Sequence, residues 1–237
     1  MTASSRVPSD WLVTVLHPSL RVVTTPCPAA PDRETMARID ALWTEATRRH
    51  PALYNGRVFS ATAISADRIE GYWAEYRMVL AQMRAPDLFR VLRLRPLAVT
   101  GMLRLRGGLV FGQRAATAIY HPGWWQGVPA GSVETREGDV PVDLHEQLVA
   151  EIEEELGLNA RDVTVGPPLL ACEHPGTHIV DIGMVLDTTL DFSAVHAAWA
   201  ERGNDEYAAL KLMSPVEALA CPDMLPTTLA MIETLAP

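Results

Sequence analysis

Glu151, Glu153, Glu154 and Glu155 fall within five consecutive positions of the stretch LVAEIEEELGL, residues 148–158. Like charges three or four residues apart on a helix repel by about 0.2–0.5 kcal/mol per pair, so such crowding needs a use. On a helix turning about 100° per residue, Leu144, Leu148, Val149, Ile152 and Leu156 share one apolar stripe. Glu151, Glu154 and Glu155 lie in a neighbouring stripe, with Glu155 on the border, while Glu146 and Glu153 point to solvent. Carboxylates at i, i+3 and i+4 beside a buried face make a strong field for a divalent cation. Mg²⁺ takes hard oxygen ligands and binds through a few carboxylates, water and substrate phosphates, and Mn²⁺ accepts the same oxygen set. A solvated acidic face is the competing reading of such a run.

A helix over about 143–156 must carry these residues, and Gly157 supplies its stop. The segment before it, YHPGWWQGVPAGSVE (120–134), reads as a loop. LAVTGMLRL (97–105) and LVFGQRA (109–115) flank Arg106-Gly107-Gly108 as a hairpin. Residues 163–173, 178–188 and 206–214 have strand texture, and 191–203, 215–220 and 225–235 have helical texture. Nearer the N-terminus, strands are expected at 11–16, 20–25, 57–65 and 68–76. Helices are expected at 32–49, on a stripe of Met36, Ile39, Leu42, Trp43 and Ala46, and at 78–89. The texture changes after Arg95-Pro96. An N-terminal α+β subdomain over 1–95 and a main domain over 96–237 are therefore expected, in the α/β class and more strictly α+β with a mixed sheet.

The order loop glycine, helix, E-I-E-E-E-L-G-L resembles the Nudix box, G-x5-E-x7-R-E-U-x-E-E-x-G-U with U apolar. Glu151, Ile152, Glu154, Glu155, Gly157 and Leu158 match its second half, and Gly131 matches its opening glycine. Departures are present. The box arginine is Ala150, the Gly131–Ala150 spacing is five residues too long, and the box's loop glutamate is Asp139 or is absent. Within that superfamily the chain looks most like the divergent animal members that cleave UDP-glucose and UDP-galactose. The likeness lies in residues 42–64, 144–158, GPPLLACE (166–173) and GNDEYAALKLMS (203–214).

The resemblance implies a Nudix α/β/α sandwich, Mg²⁺ or Mn²⁺ held by Glu151, Glu154 and Glu155, and hydrolysis of a nucleoside diphosphate sugar. ADP-ribose, a CDP-alcohol or a dinucleotide would suit the same reaction, and an inactive nucleotide-sugar sensor would suit the same fold. A further carboxylate is needed as base or as second metal ligand. Glu206 is the first candidate and Glu173 the second. Arg114 ends a strand that would point it at substrate phosphates. Trp125, beside Trp124, could stack on a base, or form a hydrophobic lid or homodimer contact. His145 is expected to pack along its helix.

Composition limits the partners. The chain has 237 residues, 48% hydrophobic and 21% charged, with net charge -9 and a single lysine, Lys211. That argues against nucleic acid, whose phosphates draw on clustered Lys and Arg. No run approaches the roughly 20 apolar residues of a membrane span, and MTASSRVPSDWLV lacks the apolar core of a signal peptide, so a cytoplasmic protein is expected. Cys27, Cys172 and Cys221 are too few and too scattered for a disulfide framework, and read as reduced thiols.

Overall fold

The computed structural model describes residues 5–135 and 140–235. The first half runs β1 (Leu12–Val15), β2 (Arg21–Thr24), α1 (Arg33–Arg49), β3 (Arg57–Ile64), β4 (Arg68–Glu75), α2 (Tyr76–Arg84) and α3 (Phe89–Leu92). Then come β5 (Leu97–Leu105), β6 (Gly108–Arg114), β7 (Trp125–Gly127), β8 (Ala130–Ser132), β9 (Glu134–Thr135) and α4 (Leu144–Leu156). The chain closes with β10 (Val163–Glu173), β11 (Val180–Thr188), α5 (Phe192–Arg202), β12 (Tyr207–Met213), α6 (Pro215–Ala220) and α7 (Pro226–Leu235).

Two mixed sheets hold these elements. The larger orders its strands β1-β10-β11-β5-β6-β12, with β7 beside β6 and β8 beside β5. Within it β11 and β5 run parallel, and the other described pairs run antiparallel. The smaller orders β2-β4-β3-β9, with β2 and β4 parallel. Thus β1 edges the larger sheet and β9 edges the smaller one.

Strand alternation decides which residues meet which layer. Leu97, Val99 and Leu103 of β5 and Val180, Ile182 and Met184 of β11 share a core with Leu148, Ile152 and Leu156 of α4 and Val195 of α5. The opposite face carries Met102, Phe111, Leu170 and Cys172, covered by Ala218 of α6 and Leu229, Ala230 and Met231 of α7. The result is a helix–sheet–helix sandwich with a mixed sheet, in agreement with the expected class. Each buried leucine or isoleucine of α4 contributes about 1.5–3 kcal/mol on leaving water, which anchors the apolar stripe and thereby aims the acidic one. The smaller sheet sends Phe59, Ile69 and Trp73 into the same core. Its other face sets Tyr72 and Ala74 against Ile39 of α1 and Val79 and Ala81 of α2.

Two local expectations are corrected. The helix expected at 78–89 starts at Tyr76 and stops at Arg84, and a single 3-10 turn over Pro86–Leu88 leads into α3. Pro86 has no N–H and disfavours helical geometry at Ala85 before it. The loop expected at 120–134 holds β7, β8 and β9. Runs this short carry no readable periodicity, and each exists because a neighbour accepts it: β6 for β7, β5 for β8 and β3 for β9. Asp139, the candidate loop acid, lies outside the described residues. Among the described residues no helix is long and apolar enough to cross a membrane. The three cysteines are free thiols, with Cys172 buried and Cys27 exposed.

Candidate active site

The register of α4 is fixed at both ends. The Asp143 carboxylate accepts from the backbone N–H of His145 at 2.9 Å and of Glu146 at 3.0 Å, satisfying two of the helix's open donors. Gly157 takes the left-handed conformation at φ 62° and donates to the Ile152 carbonyl. A Cβ at that position would stand 2.8 Å from the Ala198 carbonyl oxygen, so glycine is required twice over.

Between these caps the carboxylates differ in environment. Glu154 and Glu153 are exposed and Glu151 is half-buried. Glu155 is 3% exposed, deeper than its expected border position. Its Oε2 accepts from the Tyr207 hydroxyl at 2.6 Å and from the Ala130 N–H at 3.0 Å. Burial pushes its carboxyl well above the usual range, the Glu151 and Glu206 charges push the same way, and the two hydrogen bonds oppose them. Glu151 is pushed up to about 7, first by burial and then by the charges of Glu154, Glu134 and Glu206, against the Gln147 hydrogen bond. Its carboxyl group lies against Gly131, where an added Cβ would come within 2.1 Å of the Glu151 Cδ. The glycine makes room for the acid.

Ala150 is exposed and offers Glu151 nothing. Gln147, one turn earlier on the same helix face, donates its amide to Glu151 Oε1 at 3.0 Å. The Gln147 carbonyl oxygen accepts from the Glu134 N–H at 3.3 Å, tying β9 to the acidic helix. Sequence reasoning passed over Gln147, although its i−4 spacing from Glu151 was the available signal.

Arg114 ends β6 with its side chain 12% exposed. Its Nη2 stands 3.1 Å from Glu206 Oε1, its Nε donates to the Tyr120 carbonyl at 2.7 Å, and its Nη1 donates to Gln126 Oε1 at 2.9 Å. The Gln126 amide donates in turn to the Tyr207 hydroxyl at 3.2 Å, and Tyr207 donates to Glu155. One hydrogen-bonded chain therefore runs Glu206–Arg114–Gln126–Tyr207–Glu155. Gln126 and Tyr207 are buried links that the sequence did not single out.

Glu151, Glu154, Glu155, Glu206, Arg114 and Gly131 all line one cavity of about 530 Å³, a size suited to a nucleotide-scale ligand. Trp125 is not among its lining residues. Its ring packs against the core beneath α6 and α7, and its carbonyl accepts from the Leu225 N–H at 2.8 Å, so it supports the cavity wall from behind. Trp124 lies 4.6 Å from His121, ring to ring. Glu173 also stands apart, 7% exposed, paired with Arg95 at 2.5 Å and with His178 Nδ1 at 3.0 Å. That pairing ties the connection between α3 and β5 to the end of β10, and of the two candidate bases it is Glu206, ion-paired with Arg114, that lines the cavity. His145, expected to pack, is exposed.

Among the described residues no three His, Cys, Asp or Glu side chains converge as they stand. Glu155 is turned to Tyr207 and Ala130, and Glu151 to Gln147. The donor set nonetheless fits a hard divalent cation in kind. It is all oxygen, and burial first, with the neighbouring carboxylate charges after it, raises the Glu151 and Glu155 carboxyls, a cost that a bound cation would offset.

No family model matches the chain, and no curated protein matches it. Among solved structures it is similar to a mutT/nudix family protein from Listeria innocua, with 19% identity over 58% of this chain and 89% of that one at a TM-score of 0.44. It is also similar to a Nudix hydrolase from M. smegmatis, RenU, with 18% identity over 60% and 83% of the two chains at 0.41. A third is a C. elegans Ap4A hydrolase binary complex, with 15% identity over 58% and 93% at 0.40. None of these three reaches a TM-score of 0.5.

Proposed function

We propose that this chain is a metal-dependent hydrolase of the Nudix type that cleaves the phosphoanhydride of a nucleoside diphosphate sugar. UDP-glucose or UDP-galactose would give UMP and the hexose 1-phosphate. The observation that carries this reading is that one cavity collects the Glu151, Glu154 and Glu155 stripe together with the Arg114–Glu206 pair.

Glu151, Glu154 and Glu155 would hold Mg²⁺ or Mn²⁺, which neutralises phosphate charge and lowers the pKa of water. The chain's own groups do the rest. Arg114, already fixed by Tyr120 and Gln126, supplies positive charge to a phosphate oxygen as it leaves Glu206. Glu206, released from that ion pair, takes the proton of the attacking water as general base. The water oxygen bonds to one phosphorus, and the bridging oxygen leaves on the other phosphate. Tyr207 and the Ala130 N–H orient Glu155, and Gln147 orients Glu151. On this reading residues 1–95 act as a subdomain that closes one side of the cavity through Val58, Tyr76, Val79 and Met83, over a catalytic core of 96–237. A sensor that binds without turnover is the second reading, and Ala150 in place of an arginine is the observation that favours it.

The test is incubation of the purified protein with Mg²⁺ and UDP-, ADP-, GDP- and CDP-linked compounds, with chromatographic separation of products. UMP released from UDP-glucose and abolished by EDTA is the expected result. Turnover of another compound would keep the reaction and replace the substrate. Binding with no turnover, in Mg²⁺ and in Mn²⁺, would select the sensor.

A further inference from the structure

The cavity has a second polar patch, away from α4. Asp181 of β11, Thr227 in the first turn of α7, and Tyr120 line it. Alternation places Asp181 on the α7 side of the larger sheet, because its neighbours Val180 and Ile182 face the α4 core. The Thr227 hydroxyl donates to Asp181 Oδ2 at 2.5 Å. The Tyr120 hydroxyl is buried and has no hydrogen-bond partner among the described residues. Buried polar groups are ordinarily paired, so an orphan in a cavity wall marks where a ligand supplies the missing partner.

The chemistry of the patch selects among ligand groups. Burial pushes the Asp181 carboxyl up to about 6, against the Thr227 bond and the Arg114 charge, and the hydroxyl aimed at its Oδ2 shows it acting as an acceptor. Thr227 has spent its hydrogen on Asp181 and is left as an acceptor. Tyr120 keeps its proton, since burial and the Asp181 charge push its phenol upward, and it can donate or accept. An acceptor-rich set matches a donor-rich ligand. Sugar hydroxyls fit it. A uracil edge, with one N–H between two carbonyls, would set carbonyl oxygens against a carboxylate, and a phosphate would be repelled. Ile119, Ile179 and Leu225 also line the cavity and offer apolar surface to the C–H faces of a sugar ring.

We propose that Asp181, Tyr120 and Thr227 form the subsite that takes the hydroxyl-bearing sugar of the substrate. The inference rests on the hydrolase reading above. Its test is calorimetric binding of paired ligands, UDP-glucose against UDP and ADP-ribose against ADP, with Ca²⁺ replacing Mg²⁺ so that the ligand stays intact. Wild-type protein is expected to bind the sugar-bearing member of at least one pair more tightly. Asp181→Asn should weaken that member about 10-fold, as for one hydrogen bond to a charged group, and its sugar-free partner by less than about twofold. Tyr120→Phe should act in the same direction to a smaller degree, and circular dichroism melts confirm that both variants fold. Equal losses for both members, no loss in either variant, or no preference for the sugar in wild-type protein would overturn the subsite. The hydrolase reading fails separately, by absence of Mg²⁺-dependent turnover while sugar-selective binding persists.

Discussion

Glu154→Gln and Glu155→Gln each lower turnover by about 10³-fold, the equivalent of about 4 kcal/mol of transition-state stabilisation. The two substitutions reach that result from different surroundings. Glu154 is exposed, so its replacement breaks no internal bond and removes only a charge aimed into the cavity. Glu155 is buried, but a glutamine carbonyl can still accept from Tyr207 and the Ala130 N–H, and an amide stays uncharged there at every pH. Both variants should therefore melt within a few degrees of wild-type. Near-normal rates in both would mean that the acidic stripe of α4 is a solvated face and that the metal assignment is wrong.

Gln147→Leu lowers kcat/KM by about 10- to 100-fold, the range seen when the group orienting a metal ligand is lost. Leucine keeps the volume beside β9 and removes both bonds, to Glu151 and from the Glu134 N–H. Because Gln147 acts through Glu151, the metal concentration for half-maximal rate should rise along with the loss of rate. A structural role alone would not move it. Ala150→Arg by itself should be tolerated, since position 150 is exposed and an arginine there has room. No loss in Gln147→Leu would leave Glu151 held by burial alone.

Much of this site could be read before the structure, and the reason is local. Glu151, Glu154 and Glu155 belong to one helix, whose period is fixed by backbone geometry, and the apolar residues Leu148, Ile152 and Leu156 state which way it turns. Arg114 and Glu206 were found one at a time, at the ends of strands with clear texture, and the structure brings them together. What escaped was long-range. Tyr207 meets Glu155 from 52 residues away and Gln126 meets Tyr207 from 81 residues away, and no spacing rule reports such pairs. Trp125 misled for a related reason: whether a loop aromatic faces a cleft or a core depends on what packs behind it, here α6 and α7. The short strands β7, β8 and β9 were invisible because their partners, rather than their own residues, make them strands.

The central claim is that the α4 carboxylates hold a divalent metal, and the most direct measurement is Mn²⁺ titration followed by the loss of the free-ion electron paramagnetic resonance signal. The pH dependence gives it a second handle. Burial pushes the Glu151 carboxyl up to about 7 from the ordinary 4.5. Without metal, that raised carboxyl contributes stability that is fully present below about pH 4.5 and is lost as pH climbs through 7. Metal must displace its proton, and that of the likewise raised Glu155, so affinity runs the opposite way, tightening by at least about tenfold between pH 6 and pH 8. Wild-type protein is expected to bind Mn²⁺ with that trend, and Glu154→Gln and Glu155→Gln to bind it far more weakly at every pH. Absence of Mn²⁺ binding in wild-type, or equal binding in the two variants, would contradict the account.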